Sequence, residues 1–403
     1  MRLTATLIDA ALALTLLPVL GGSLFGVAAA VATWRFRRGA TWRLRRGASP
    51  PAPGHASPPM TLLKPIYGLE PGLAARLRST CLQDYPDYQV IFCLQRPDDP
   101  ALPLALALAE EFPDRAQLVL HEVQLGPNGK VNNLLGGMAA ARHDILVISD
   151  SDVELRPDYL ATLAAAFADP AIGCVNTLFK ATGARRWYER LELLSINAEF
   201  LPSVCFTWLT GASPLCLGPS VAIRRGTLAR IGGLEALVDY LAEDYEIGRR
   251  VPEAGEGFLL LPYIVDARID LAGPAVWWRH QVYWDQNTRA AQPTGFLLTI
   301  LTRAVPFALL AALLAGLAPW SLLLLAATLA LRLATAAIAL HALDDREGLA
   351  SLAWLPLRDL VGLVTWLLAF TDRTVTWRGQ DYTLTGGGRM VVKPQPAAAG
   401  RRA

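Results

Sequence analysis

His143-Asp144-Ile145-Leu146-Val147-Ile148-Ser149-Asp150-Ser151-Asp152 is an apolar run that ends at two carboxylates one residue apart. Ile145, Val147 and Ile148 are β-branched, and the unbroken run suits a strand covered on both faces, as in a parallel sheet. Ligands of open α/β sheets sit beyond the carboxyl ends of the strands. An Asp-x-Asp delivered there sets two hard oxygen ligands on one divalent cation, and such a cation neutralises a diphosphate leaving group. Transfer from a nucleotide-diphosphate donor is the chemistry implied. The same residues also suit a plain turn capping the helix that opens near Pro157.

Around this run, strands and helices alternate. Strands are predicted at Met60–Leu63, Tyr88–Leu94, Ala116–Val123, around Ile172–Leu178 and at Val221–Arg225. Helical spacing covers Leu69–Leu82 and Ala101–Glu111, and the flexible turn Gly126–Leu134 leads into a helix through about Arg142. The series predicts an α/β, Rossmann-like, mostly parallel sheet whose right-handed crossovers bring the strand ends to one rim. Polar clusters fall at that rim: Asp98 and Asp99, then Lys130 to Asn133, then Asp150 and Asp152. No G-x-G-x-x-G or G-x-x-x-x-G-K-[ST] occurs at these turns, which disfavours a dinucleotide cofactor or a P-loop. Glu243 and Asp244 open a later helix, where the dipole favours carboxylates whatever their role. Arg185 to Leu215 carries Trp187, Tyr188, Phe200, Phe206 and Trp208, and reads equally as an acceptor pocket or an aromatic core.

The 403 residues are 53% hydrophobic, which points to a membrane protein carrying one sizeable soluble domain. A formal net charge of +2 gives no footing for nucleic acid. Cys81, Cys93, Cys174, Cys205 and Cys216 contain no C-x-x-C pair, so neither a disulfide framework nor a zinc site is indicated, and a reducing, cytosol-facing domain is expected. The apolar stretch Leu7–Trp34 is followed by Arg35, Arg37, Arg38, Arg43, Arg45 and Arg46, the pattern of an anchor with a cytoplasmic flank rather than a cleaved signal peptide. Three further apolar segments run from Gly295 to Leu317, Trp320 to Leu343 and Leu352 to Phe370. The last contains Arg358 and Asp359, which are costly in lipid unless paired or interfacial. Arg373, Arg378, Arg389, Lys393, Arg401 and Arg402 favour a cytoplasmic tail, and three full spans would put that tail outside. One C-terminal segment is therefore expected to be re-entrant or interfacial. The expected division is an anchor (1–34), a basic juxtamembrane linker (35–59), a catalytic domain (60–290), a membrane region (291–372) and a basic tail (373–403).

Leu63-Lys64-Pro65, Asp84-Tyr85-Pro86, Asp98-Asp99-Pro100, Lys130-Val131-Asn132-Asn133-Leu134, Asp150-Ser151-Asp152, Gly232-Gly233-Leu234 and Ala242-Glu243-Asp244-Tyr245 resemble, in that order, the ceramide glucosyltransferases. These are inverting glycosyltransferases of the GT-A fold, with bacterial hopanoid-associated glycosyltransferases as near relatives. The similarity runs from about Met60 to Trp284 and recurs at Arg358-Asp359 and Trp377-Arg378. It implies a UDP-sugar donor, a manganese or magnesium ion, a ceramide or hopanoid acceptor, and an integral protein of the bacterial inner membrane whose catalytic domain faces the cytoplasm. It implies further that Asp99 helps hold the nucleotide, that Asp150 and Asp152 bind the metal, and that Asp244 is the general base. Lys130 and Asn132 would lie near the donor. The family's (Q/R)-x-x-R-W motif aligns with His280-Gln281-Val282-Tyr283-Trp284, which keeps Trp284 but has His280 first and Tyr283 in place of the arginine. Arg279 or Arg289 would then supply the missing cation, while Trp277, Trp278 and Trp284 also suit an interfacial aromatic belt. The rival readings are a processive polysaccharide synthase of the same superfamily and a non-catalytic protein that binds nucleotide sugar or lipid.

Overall fold

The apolar runs become strands of one sheet in this computed structural model, which describes residues 2–39, 57–212, 215–377 and 380–393. The strands are β1 (Met60–Pro65), β2 (Tyr88–Leu94), β3 (Ala116–Leu120), β4 (Ile145–Ser149), β5 (Val153–Glu154), β6 (Ile172–Thr182), β7 (Ser220–Arg224) and β8 (Gly257–Arg268). Their spatial order is β3-β2-β1-β4-β7-β6-β8-β5. Ile145, Leu146, Val147 and Ile148 of β4 are all buried, which contributes about 1.5–3 kcal/mol for each side chain of this size and fixes the strand at the centre. Four of the seven pairings within this sheet are parallel among the described residues, so the expected mostly parallel α/β sheet is present. The departures from a purely parallel sheet are β7, which runs antiparallel to both β4 and β6, and the edge strand β5, antiparallel to β8, while β4 pairs parallel with β1. The chain leaves the sheet after β6 for the helices Trp187–Ser195 and Leu201–Thr210 and re-enters from the opposite end. The long strand β8 carries no turn-bounded alternation and was not among the sequence expectations.

Among the described residues three helices are long and apolar enough to cross a membrane: Asp9–Arg37, Pro319–Ala342 and Arg346–Leu368. A fourth candidate is broken, with Pro293–Thr302 and Ala304–Leu314 meeting at 54°. The N-terminal helix seats on that break through two glycines. A Cβ on Gly22 would stand 2.6 Å from the Thr302 carbonyl oxygen and 2.7 Å from the Ala304 nitrogen, and one on Gly21 would stand 2.8 Å from the Leu301 oxygen. Non-helical backbone between two apolar helices is thereby covered by protein. At its other end the same helix is clamped to the sheet domain, because Arg37 donates to the carbonyls of Pro262 and Ala342 at 2.9 and 3.1 Å and pairs with Asp344 at 3.2 Å.

The segment expected as a basic tail folds back. Strands β9 (Thr374–Trp377), β10 (Gln380–Leu384) and β11 (Met390–Val392) form a small antiparallel sheet. It grips the loop before Glu243, since the N–H of Leu241 donates to Gly388 at 3.0 Å and that of Met390 to Asp239 at 2.7 Å. Residues 40–56 of the expected linker, with Arg43, Arg45 and Arg46, lie outside the described residues, as do Arg378, Arg401 and Arg402.

Candidate active site

Where β4 ends, three loops close around a cleft of about 1070 Å³. Asp150 and Asp152 leave β4 in a turn held from below: the buried Lys64 ammonium donates to the Ser149 hydroxyl at 3.1 Å and the Val153 carbonyl at 3.0 Å, and Arg76 Nε donates to the Ser151 carbonyl at 2.9 Å. Burial pushes Lys64 down to about 7 although Asp152 and Asp150 oppose the shift.

The second loop opens the helix Gly129–Ala140. Its N-cap, Asn128, accepts from the Val131 N–H and donates to the Tyr240 carbonyl at 2.7 Å and to Glu243 at 3.1 Å. One turn on, Lys130 Nζ lies 2.7 Å from Asp150 and 2.8 Å from Glu243, bridging two acidic clusters. Burial opposes the charge on Lys130, but Asp150, Glu243 and Asp244 outweigh it and hold the amine protonated.

Asp244 sits in the first turn of the helix Glu243–Glu253. Its Oδ2 accepts the Gly218 N–H at 2.7 Å and its Oδ1 accepts the Tyr245 N–H at 2.8 Å. A Cβ on Gly218 would stand 3.1 Å from that Oδ2 and 3.3 Å from Lys130 Nζ, so this close approach suits glycine. Burial, with Glu243 beside it, pushes the Asp244 carboxyl up to about 6 against the pull of Lys130. A carboxylate so raised is a better proton acceptor near neutral pH than an ordinary aspartate.

Burial, Asp150 and Glu70 likewise push Asp152 up to about 6. Its Oδ1 is buried with no hydrogen-bond partner. Among the described residues no group of three or more Asp, Glu, His or Cys forms a cage, and the two carboxylates that could share a cation on this cleft are Asp150 and Asp152. An orphaned oxygen in an excess of negative charge fits a hard cation whose remaining ligands come from substrate phosphates and water.

The fourth wall is the helix Pro274–Ala291, with His280, Tyr283 and Trp284 on the cleft. Both edges of His280 are engaged: Nδ1 lies 2.9 Å from Glu192 Oε1, and Nε2 accepts the Trp284 indole N–H at 2.8 Å. Gln281 donates to the other Glu192 oxygen at 2.5 Å. Burial lowers the imidazole pKa, but Glu192 outweighs it and the net direction is upward. Protonation would nonetheless turn Nε2 from acceptor to donor against the Trp284 N–H, so the pair favours the neutral ring with its proton on Nδ1. Tyr283, in place of the motif arginine, stacks on His280 at 11°. Of the two substitute cations, Arg279 lines the cleft, whereas Arg289 lies over Phe370 and donates to the Asp372 carbonyl.

The cleft thus gathers Lys130, Asp150, Asp152, Asp244, His280 and Trp284. Two expected donor residues are not on its wall. Asp99 is buried and takes the N–H groups of Gly68 and Ala101, tying the loop after β1 to the loop after β2. Asn132 is fully buried and holds the turn at Leu125 and Gly126. Lys64, Asn128 and Glu192 were missed as site-building residues. Lys64 stood in a quoted strand end, but Glu192 is 88 positions from His280 and nothing local announces it.

The chain is similar to known proteins. Ceramide glucosyltransferase 1 of Caenorhabditis elegans is 26% identical over 207 residues, 49% of this chain and 42% of that protein. The ceramide glucosyltransferase of Komagataella phaffii is 37% identical over 99 residues, 23% of this chain and 19% of that protein. The match therefore spans less than half the length of these relatives. A mannosyltransferase from Pyrobaculum calidifontis, solved with GDP-Man and Mn2+, is 22% identical, covering 86% of this chain and 98% of that one at a TM-score of 0.46. The model of glycosyl transferase family 21 matches residues 24–390, from the N-terminal apolar helix to the start of β11. On a match of that extent, the chain belongs to glycosyl transferase family 21.

Proposed function

We propose that this protein is a membrane-bound inverting glycosyltransferase that moves a sugar, glucose, from UDP to a hydroxyl of ceramide and so forms a β-glycosyl lipid. The observation that carries the reading is the placement of Asp244, a carboxylate raised to about 6, across Lys130 from Asp150 and Asp152 on one cleft. Asp244 takes the proton of the acceptor hydroxyl, and the freed oxygen attacks the anomeric carbon. A single displacement inverts that carbon, so an α-linked donor gives a β-glycoside. Lys130 and Arg279 line the same cleft and would face the departing diphosphate. Manganese or magnesium held by Asp150 and Asp152 would neutralise that leaving group. His280, locked between Glu192 and Trp284, presents a rigid ring wall rather than a charge.

What each helix end touches supports one membrane arrangement. Arg37 and Ala342 end their helices together at the sheet domain. The last apolar helix, Arg346–Leu368, starts beside Asp345, which accepts from Asn197 at 2.8 Å, and ends near Asp372, whose carbonyl accepts from Gln286 and Arg289. Both its ends are tied to the catalytic side, which supports an interfacial helix and a cytoplasmic tail. Arg332 pairs with Asp359 through two 3.0 Å contacts, which lowers the cost of both charges near lipid. No observation favours the hopanoid, polymer-forming or non-catalytic alternatives. The test is purified protein in lipid nanodiscs with manganese, UDP-glucose and ceramide. β-Glucosylceramide by mass spectrometry is the expected product, and no glycolipid from any UDP-sugar would refute the reading.

A further inference from the structure

The segment that leads into Asp244 is stitched along both edges. On one edge the carbonyls of Val238 and Tyr240 accept from Asn128, from its backbone N–H at 2.8 Å and from its side-chain amide at 2.7 Å. On the other edge the Asp239 carbonyl accepts from the Met390 N–H at 2.7 Å, and the Leu241 N–H donates to the Gly388 carbonyl at 3.0 Å. Between these two bonds Tyr240 and Arg389 are opposed as an antiparallel bridge. Residues 238–241 thus form an extra strand between the turn that carries Lys130 and the C-terminal sheet.

Side chains continue the same path. Arg389 donates to the Tyr240 hydroxyl from Nε and Nη2, each at 3.1 Å, and its guanidinium lies 5.2 Å from the ring centroid. The Arg250 guanidinium lies over the same ring, also at 5.2 Å. Arg250 belongs to the helix Glu243–Glu253 and pairs there with Glu246 at 3.0 Å. The tail therefore touches Tyr240, and Tyr240 touches the helix whose first turn holds Asp244. Leu241 is buried with Val375, Tyr382, Leu384 and Met390, and Tyr283 and Ala290 of the helix Pro274–Ala291 pack against that cluster. A three-stranded sheet needs an apolar face packed on something else to be stable. Here its partners are the segment before Asp244 and the helix that carries His280. Thr374 and Val375 of the sheet line the catalytic cleft together with Leu241 and Asp244.

We propose that the C-terminal sheet is a clamp on the catalytic base, and that Tyr240 and Arg389 are positioning residues for Asp244. Docked on residues 239–241, the sheet fixes where the helix Glu243–Glu253 begins and hence where the Asp244 carboxylate stands. Asn128 bridges the Tyr240 carbonyl and the Glu243 carboxylate, so the same clamp keeps Glu243 against Lys130. Misplacing a reacting group by about 1 Å costs on the order of a hundredfold in rate, so a segment held on one edge only is a poor mount for a base. This inference rests on the reading of Asp244 as general base, and gives the tail a part in that reaction.

The test compares a loose and a locked clamp in one protein. Residues opposed as Tyr240 and Arg389 are, flanked by hydrogen bonds rather than exchanging them, have Cα atoms about 4.5 Å apart, within the reach of a disulfide. The native cysteines are all buried. The double variant Tyr240→Cys/Arg389→Cys is prepared full length in nanodiscs, reduced and oxidised, with the disulfide verified by mass and folding by gel filtration. Met390→Ala, which hollows the cluster without touching Tyr240, is the second variant. Glucosylceramide formation is measured beside deuterium exchange of the amides of residues 241–246. The reduced double variant and Met390→Ala are expected to lose about ten- to hundredfold in kcat, with KM for UDP-glucose unchanged and exchange accelerated. Oxidation of the double variant should restore both rate and protection. Wild-type kcat in the reduced form and in Met390→Ala, a loss confined to KM, or a rate that oxidation fails to restore would overturn the proposal. Redox-dependent exchange in a protein whose wild type transfers no sugar would uphold the clamp and refute the transferase reading; wild-type transfer with exchange indifferent to the disulfide would do the reverse.

Discussion

Replacing Gly22 by alanine sets two effects of opposite sign against each other. Gly→Ala in a helix interior stabilises by up to about 1 kcal/mol through backbone entropy. At Gly22 the new methyl would stand 2.6 Å from the Thr302 oxygen and 2.7 Å from the Ala304 nitrogen. Both atoms are backbone at the 54° break, so neither yields as a flexible side-chain tip would. The helix must back off by roughly 0.5–1 Å, which forfeits a quarter to a half of the dispersion energy along that contact. Overpacking of this kind costs about 1–3 kcal/mol, so destabilisation wins. Gly273, with nothing within 4 Å of its Cβ position and an extended φ of 172°, is the control. Heating nanodisc-embedded protein and measuring the folded fraction by fluorescence gel filtration should give a midpoint several degrees lower for Gly22→Ala and an unchanged one for Gly273→Ala. A Gly22→Ala midpoint at or above wild type would refute the seating of the N-terminal helix on the break.

The remaining predictions concern topology and chemistry. Cysteine placed at Leu317, between the broken pair and Pro319–Ala342, should react with a membrane-impermeant maleimide on intact cells, whereas cysteine at Thr371 should react only after permeabilisation; labelling of both from outside would make the last helix a full span. Glu192→Gln leaves one of its two donors facing an amide NH2, a cost of about 1–3 kcal/mol for a buried unsatisfied donor, so kcat/KM should fall about tenfold. A wild-type rate would remove His280 anchoring from the account. The base form of Asp244 is present above about pH 6 and lost below it, so kcat/KM should fall about tenfold per pH unit on the acid side. A flat profile down to pH 5 would contradict this.

The strands were legible where burial is continuous along the chain: Tyr88–Leu94 is found with the expected bounds because every residue of it is buried. The acidic turn after β4 was equally legible, since Asp150 and Asp152 follow an uninterrupted apolar run. Helix Trp187–Ser195 and the π-helical turn after it were not, because their faces are split between sheet, cleft and membrane helices and follow no single period. Asp99 and Asn132 are engaged in building turns behind the cleft, contacts to backbone elsewhere in the chain that their local sequence does not announce. Glu192 and Glu199 become visible only when His280 and Arg358, distant in sequence, are brought against them.

The most direct measurement is the rate of glucosylceramide formation by Asp244→Asn beside wild type, with UDP affinity determined on both. Asparagine keeps the side-chain oxygen that accepts the Gly218 N–H but cannot take a proton. The account predicts transfer lowered by about 10²–10⁴-fold, the usual contribution of a general base, with UDP still bound. An Asp244→Asn protein that glycosylates ceramide at the wild-type rate would contradict it.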